Sequence, residues 1–363
     1  MSEDSGSALL THESTGDAVL IVGTGLIGTS VGLALTACGR RVYLHDRTSS
    51  HALVAAGLGA GSVDSPTDIG MVIVAVPPSV AARVVVQALA AFPGATVTDV
   101  TSVKSPVLEQ IVASGADVSR YVGSHPMAGS HRSGPLTARA DLFVDRTWVL
   151  AVHPDADPVH VDRVRAVAED CQAMVEVMDP HEHDVAVAEV SHVPQIISSL
   201  VAGTLTGIVP SHLRLAGQGV RDVTRIAAGD EAMWTQIIIA NQEAIRNQLS
   251  RLSASLAEIE AHVDSPEALS AFLKHGVEGT RVLPGKHGRT AADYVYVVVE
   301  IPDSPGALAR LFADVEEAGV NVEDLGIEHD RAREVGYMSI AVEPDKAAAL
   351  AGAMSSAGWT LRS

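Results

Sequence analysis

The run Gly23-Thr24-Gly25-Leu26-Ile27-Gly28 is a G-x-G-x-x-G set between an apolar β-branched stretch (19–22) and an apolar helical one (26–38). In that context the first glycine permits a tight turn. The second lets a diphosphate approach the backbone, and the third lets helix and strand pack closely. The helix N-terminus adds free N–H groups and partial positive charge. Asp46 ends the next strand 18 residues after Gly28, with Arg47 beside it. A carboxylate there accepts from ribose hydroxyls and repels a 2′-phosphate, a preference that Arg47 blunts. The pattern therefore expects NAD at Gly23, Gly25, Leu26, Ile27, Gly28, Asp46 and Arg47. Val76 and Pro77 wall the nicotinamide side, and Thr101 lines it.

A second segment, Gly123-Ser124-His125-Pro126-Met127-Ala128-Gly129, puts His125 in a glycine-bracketed loop just past a strand end. A neutral imidazole there accepts a proton from a substrate hydroxyl as hydride leaves the same carbon. Ser102, in Asp99-Val100-Thr101-Ser102-Val103-Lys104, lies at a neighbouring strand end and is placed to orient the ring. A later helical stretch supplies His181, His183, His192, Gln195, Arg221 and Arg225. Positions 181 and 183 are about 200° apart on an α-helix and 183 and 192 about 180°, so one face does not gather them and no metal site is expected. His192 and Gln195 share a face, with Pro194 removing a helical N–H between them. Arg221 and Arg225 share another, suited to clamping a carboxylate.

The elements that must position these residues alternate over 18–179. Strands read at 19–22, 41–44, 71–76, 95–100, 120–123, 147–152 and 174–177, with helices at 26–38, 80–92, 106–114 and 158–171. This rhythm expects an α/β, Rossmann-like domain with a doubly wound, mostly parallel sheet, preceded by a loose tail (1–17). Over 180–273 helices dominate. The longest, at 231–262, carries an apolar stripe expected to pack against a second subunit in a homodimer. Residues 274–292 hold four glycines and read as a linker. Residues 293–363 read as a βαββαβ, ferredoxin-like unit.

Lys plus Arg number 25 against 44 Asp plus Glu, a net charge of −19 over 363 residues. That balance disfavours nucleic acid as a partner, and 3% aromatic residues leave little for base stacking. No apolar run reads as a membrane span, and the acidic N-terminus is unlike a secretory signal. Two cysteines, Cys38 and Cys171, make no disulfide framework and suit a reducing cytoplasm. The expectation is a cytoplasmic enzyme for a small molecule, with no nucleic-acid or membrane partner.

Five motifs together carry a resemblance: G-T-G-L-I-G (23–28), D-V-T-S-V-K (99–104), G-S-H-P-M-A-G (123–129), S-H-V-P-Q (191–195) and G-V-R-D-V-T-R-I-A (219–227). They resemble the prephenate dehydrogenases of tyrosine biosynthesis. Pro302-Asp303-Ser304-Pro305-Gly306-Ala307-Leu308 and the stretch 319–325 are similar to an ACT domain, a module that binds amino acids as regulators. The resemblance implies NAD-dependent oxidative decarboxylation of prephenate to 4-hydroxyphenylpyruvate, with tyrosine as effector at the ACT domain. It implies that His125 hydrogen-bonds the ring hydroxyl, that Ser102 supports it and that Arg225 holds a substrate carboxylate. His183 and His192 match pocket histidines, and Arg221 sits where a second basic group occurs. Two positions depart from the family. Gln195 replaces a histidine, and His131 stands where an acid often follows the H-P-M-A-G run. An acid there would pair with the ammonium of arogenate, so His131 tilts the reading toward prephenate. Arogenate dehydrogenase is the enzymatic alternative. An amino-acid sensor with an inactive dehydrogenase body is the alternative of another class. A β-hydroxyacid dehydrogenase would use a helical-domain lysine, and residues 181–273 contain none.

Overall fold

The first apolar runs become strands because they are buried on both faces. All five residues of β1 (Ala18–Val22) are buried, as are all six of β3 (Ile69–Val74). Such continuous burial is the mark of a sheet covered by helices on both sides. The computed structural model describes residues 16–129, 134–282, 294–330 and 335–362; His131, expected at the substrate, lies outside them. The chain divides into two units, the first ending at Leu252 and the second beginning at Ser253.

In the first unit, α1 (Leu26–Ala37) follows β1, and β2 (Val42–His45) is followed by α2 (Ser49–Gly57). Then come β3, α3 (Pro78–Ala91), β4 (Thr96–Asp99), α4 (Ser105–Ala113) and β5 (Tyr121–Pro126). The sheet closes with β6 (Thr147–Ala151), α5 (Pro158–Asp170) and β7 (Met174–Met178). Strand order is β2-β1-β3-β4-β5-β6-β7. Side chains of α1 and α5, among them Val31, Leu35, Val164 and Val167, fill one face. Val85, Leu89, Val107 and Ile111 of α3 and α4 fill the other. The expected doubly wound sheet is thus present, with the order reversing between β1 and β3, the place where such sheets bind ligands. The pairings β1–β2, β1–β3, β3–β4 and β4–β5 are parallel, whereas β5 and β6 are antiparallel.

That antiparallel pairing corrects the expected address of His125. Pairing between β4 and β5 stops at Asp99–Gly123, but β5 continues against β6, with His125 opposite Val149 and Pro126 opposite Trp148. His125 is therefore a strand residue, not a loop residue. It stands on an overrun whose other edge has lost its neighbour, and Pro126 is tolerated there because it has no N–H to leave unpaired.

Past β7 the chain is helical: α6 (Pro180–Val187), a π-helical turn (Ala188–His192) and α7 (Val193–Thr204). With the turn that follows they form one apolar helix, Pro180–Gly207, long enough by length and composition to cross a bilayer, where no such run was expected. It buries His183, Asp184, His192 and Gln195, so its polar face belongs to the protein interior. Then follow α8 (Pro210–Leu213), α9 (Gln218–Thr224), α10 (Glu231–Ala240) and α11 (Gln242–Ala261). The single helix expected over 231–262 is broken at Asn241, whose side chain is drawn into the first unit's interior.

In the second unit α12 (Pro266–Arg281) begins at Ser265, whose hydroxyl caps it by accepting from the Ala268 N–H at 3.2 Å. This helix occupies the first part of the expected linker, since its capping and helical propensity outweigh Gly276 and Gly279. The βαββαβ unit follows as β8 (Val295–Pro302), α13 (Ala307–Glu317), β9 (Asp324–Asp330), β10 (Val335–Val342), α14 (Pro344–Ser356) and β11 (Thr360–Arg362). Its antiparallel order β11-β8-β10-β9 is the ferredoxin-like arrangement, with Val299, Leu311, Ile340, Leu350 and Met354 at its core.

Candidate active site

The glycine turn has the shape of a phosphate cradle. Gly23 adopts φ +102°, and a Cβ there would collide with the Ala75 carbonyl. A Cβ on Gly28 would collide with the carbonyl of Gly23, whereas one on Gly25 would meet nothing within 4 Å. The outer glycines are required by the protein's own packing; the middle one faces open space. Gly25 is the N-cap of α1 and gives no side-chain bond, and the first turn holds no acidic residue. The leading N–H groups are thus left for an anion. Leu26 and Ile27 are half-buried at that helix end.

Asp46 also serves the turn. Its Oδ2 accepts from the Thr24 N–H at 2.7 Å and the Thr24 hydroxyl at 3.0 Å, and its Oδ1 accepts from the Thr48 N–H at 2.8 Å. One lone pair of Oδ1 remains for a ribose hydroxyl. Arg47 is exposed next to it. Val76 and Pro77 lead from β3 into α3, Val76 half-buried and Pro77 exposed. The residues present fit a bound dinucleotide.

Beneath the overrun of β5 lies a buried charged cluster. Lys104 is 1% exposed and Asp99 0%. Lys104 Nζ donates to Asp99 Oδ1 at 2.5 Å and to the Ser124 carbonyl at 2.7 Å. The Tyr121 hydroxyl donates to Asp99 Oδ2 at 2.7 Å. Burial pulls the Lys104 ammonium below its ordinary range, and the Asp99 carboxylate opposes that pull. The cluster has a backbone reason. Where β4 ends, the carbonyl preceding His125 needs a donor, and Lys104 provides it. Thr101, expected to line the cofactor, is turned inward: its buried hydroxyl joins Asp99, the Val103 carbonyl and Lys104 Nζ.

The imidazoles form a chain. His183 Nδ1 lies 2.8 Å from Asp184 Oδ1, and His183 Nε2 lies 2.9 Å from His125 Nδ1. The Asp184 carboxylate also accepts from the Lys104 and Ser105 N–H groups, both at 2.8 Å. Burial works against its charge, yet the bonds from His183, Lys104 and Ser105 hold its carboxyl below the usual range. An ionised carboxylate only accepts, so His183 carries its proton on Nδ1. Its Nε2 then accepts, so His125 donates from Nδ1 and keeps its lone pair on Nε2. Burial, with His183 and Lys104 nearby, holds His125 well below the ordinary imidazole range, which keeps it neutral. The result is an oriented base.

His192 joins the same cluster through Asn241, whose Nδ2 donates to the Asp184 carbonyl at 2.7 Å and lies 3.1 Å from His192 Nδ1. The π turn makes this proximity possible. One inserted residue slips the helix by about 100°, bringing 192 round from its place opposite 183. Helical geometry without the turn had separated them. Burial, with His183 adding to it, pushes His192 down to about 4.

The other expected residues take the following places. His183, expected at the substrate, is 0% exposed and lies behind His125. Gln195 is buried one turn beyond His192. Ser102 is half-buried on the loop after β4. Arg221 and Arg225 are exposed, and α9 ends at Thr224 so that Arg225 opens a 3-10 turn; the pair does not share one continuous α-helical face. Asp99, Lys104, Asp184 and Asn241 were absent from the expected site. An acid and a lysine five apart at a strand end were the available signal for the first two.

Two family models match the chain. One described as prephenate dehydrogenase, nucleotide-binding domain, covers residues 31–177, and one described as prephenate dehydrogenase, dimerization domain, covers residues 179–275. The chain is 34% identical over 322 residues to a Streptomyces niveus protein named probable prephenate dehydrogenase NovF, spanning 85% of this chain and 89% of that one. It is 28% identical over 346 residues to prephenate dehydrogenase of Bacillus subtilis (strain 168), spanning 91% and 93%. The solved prephenate dehydrogenase from A. aeolicus, in complex with hydroxyphenyl propionate and NAD+, matches with a TM-score of 0.66 at 25% identity, covering 74% of this chain and 98% of that chain. With both family models matched in order along one sheet and the helices that follow it, the chain belongs to the prephenate dehydrogenase family.

Proposed function

We infer that the chain is an NAD-dependent dehydrogenase that converts prephenate to 4-hydroxyphenylpyruvate, CO2 and NADH in tyrosine biosynthesis. The observation that carries this is His125, held through Nδ1 and basic at Nε2, on the same sheet as the open Gly25 turn. NAD, when bound, accepts the hydride. His125 accepts the hydroxyl proton, and the oriented ring lowers the barrier by positioning as much as by basicity. Ser102 supports that contact. Arg225 and Arg221 hold substrate carboxylate, His192 and Gln195 line the pocket, and His131 takes part in substrate recognition. Asp46 favours NAD over NADP by meeting the ribose hydroxyls. Prephenate is preferred to arogenate because no acid stands at position 131.

The protein works as a homodimer. The matched dimerization domain supports this, as do the exposed side chains of Leu200, Leu215, Ile239 and Leu256, which would lose water contact in a subunit interface. The ferredoxin-like unit acts as an ACT domain with tyrosine as its effector. The cytoplasm is its compartment, where the free thiols Cys38 and Cys171 persist. Steady-state NADH formation from prephenate and from arogenate, each with NAD and NADP and with and without tyrosine, tests the reaction, the cofactor and the effector. Turnover of neither substrate refutes the enzymatic reading, and faster turnover of arogenate reverses the substrate.

A further inference from the structure

The inferred reaction is neutral in protons. The prephenate dianion and NAD+ yield the 4-hydroxyphenylpyruvate anion, CO2 and NADH, with hydrogen and charge equal on both sides. A proton taken from the ring hydroxyl must therefore be returned to the same oxygen once the ring is aromatic. A base that exchanged freely with water would not secure that return.

Behind His125 the protein holds two groups sealed from water, His183 at 0% and Asp184 at 3% exposure. Their bonds run in one line, 2.9 Å from His125 Nδ1 to His183 Nε2 and 2.8 Å from His183 Nδ1 to Asp184 Oδ1. Building on the reaction assigned above, we propose that His183 and Asp184 form a closed proton store for His125. The hydroxyl O–H bond breaks as an N–H bond forms at His125 Nε2. The N–H bond at His125 Nδ1 breaks as one forms at His183 Nε2. The substrate's C–H electron pair leaves as hydride to the cofactor, and the pair of the bond to CO2 enters the ring. Both protons then run back, and the phenol leaves with its hydrogen.

The surroundings favour a store ending at Asp184. The imidazolium formed on His183 rests against that carboxylate, which the Lys104 and Ser105 N–H groups hold still. From the loop before α4, Lys104 faces the rings with its charge matched by Asp99 of β4. From the π turn comes His192, and Asn241 adds a neutral amide. Among the described residues, Asp184 is the carboxylate bonded to either ring of the pair.

His183→Gln separates storage from positioning, because an amide can accept from His125 and donate to Asp184 but does not take up a proton. In single turnovers the variant forms NADH about 100-fold more slowly. Its KM for prephenate stays within about threefold. In mixtures of H2O and D2O the wild-type rate bows with deuterium fraction, as two moving protons require, and the variant's rate is linear. A linear wild-type plot, or a variant within about threefold of the wild-type rate, overturns the store. A second readout needs neither turnover nor variant. In 15N NMR of the ligand-free wild-type chain, His125 Nδ1 and His183 Nε2 show scalar coupling across their shared proton, and its absence overturns the geometry. Failure of the wild-type chain to oxidise prephenate refutes the assigned reaction instead, and the coupling still reports on the pair.

Discussion

Replacing Lys104 by Met removes one partner of a sealed ion pair and leaves the other in place. Asp99 is 0% exposed, and in the variant it keeps bonds from Tyr121 and Thr101 but loses its countercharge. The Ser124 carbonyl loses its donor at the same time. Breaking a buried pair from one side costs about 3–5 kcal/mol, a large share of the roughly 5–15 kcal/mol that holds a domain folded. For a unit of this size each kcal/mol moves the melting temperature by about 2–4 °C, so a drop of about 10 °C is expected. Removing both charges, in Lys104→Met with Asp99→Asn, recovers most of it, because no charge is then stranded. Urea unfolding followed by circular dichroism measures all three chains. A single-variant loss below about 1 kcal/mol, or a double variant no better than the single, refutes the account of the pair. The carbonyl set free adjoins His125, so kcat of the folded single variant falls about 10- to 100-fold while NAD affinity holds.

The other expectations follow from single contacts. His125→Asn lowers kcat by about 100-fold or more and leaves NAD affinity unchanged in a titration of NAD fluorescence quenching. Gly28→Ala destabilises the fold through its collision with the Gly23 carbonyl, whereas Gly25→Ala leaves the melting temperature unchanged and weakens NAD binding at least about tenfold. His192 is held at about 4 in the folded chain against an ordinary 6.5, so the unfolded chain binds more protons between those values. Stability therefore rises with pH across that window and is lost as pH falls from 6.5 toward 4, by about 3 kcal/mol in all. Urea midpoints measured from pH 7 down to 4 show that slope in the wild-type chain and a shallower one in His192→Asn.

Much of the sheet was legible because parallel strands announce themselves. Runs such as Ala18–Val22 and Ile69–Val74 are apolar throughout and punctuated by Gly or Pro. The glycine turn was legible for the same local reason. His125 was found as a residue but misplaced as a loop residue, since its position depends on where β4 stops and β6 takes over, a long-range fact. Lys104 was hidden because a fully buried lysine is rare and its partner is a carbonyl whose need for a donor is set by the sheet. Asn241 sat inside an apolar helical stripe and was overridden by its bonds to Asp184 and His192. Pro194 signalled an irregular helix, but not that one residue would be inserted before it.

That inserted residue makes the Pro180–Gly207 helix unusually sensitive to length. Deleting one residue between Ala188 and Val190 restores regular α-helical hydrogen bonding, so the segment itself gains regularity. Everything after the deletion is then turned by about 100° and drawn back toward the sheet, taking the ring of His192 off Asn241 and moving Gln195 to another side. In this stretch a shortened chain is a sounder helix and a poorer enzyme, and alignments that close the gap there would pair residues whose side chains point about 100° apart.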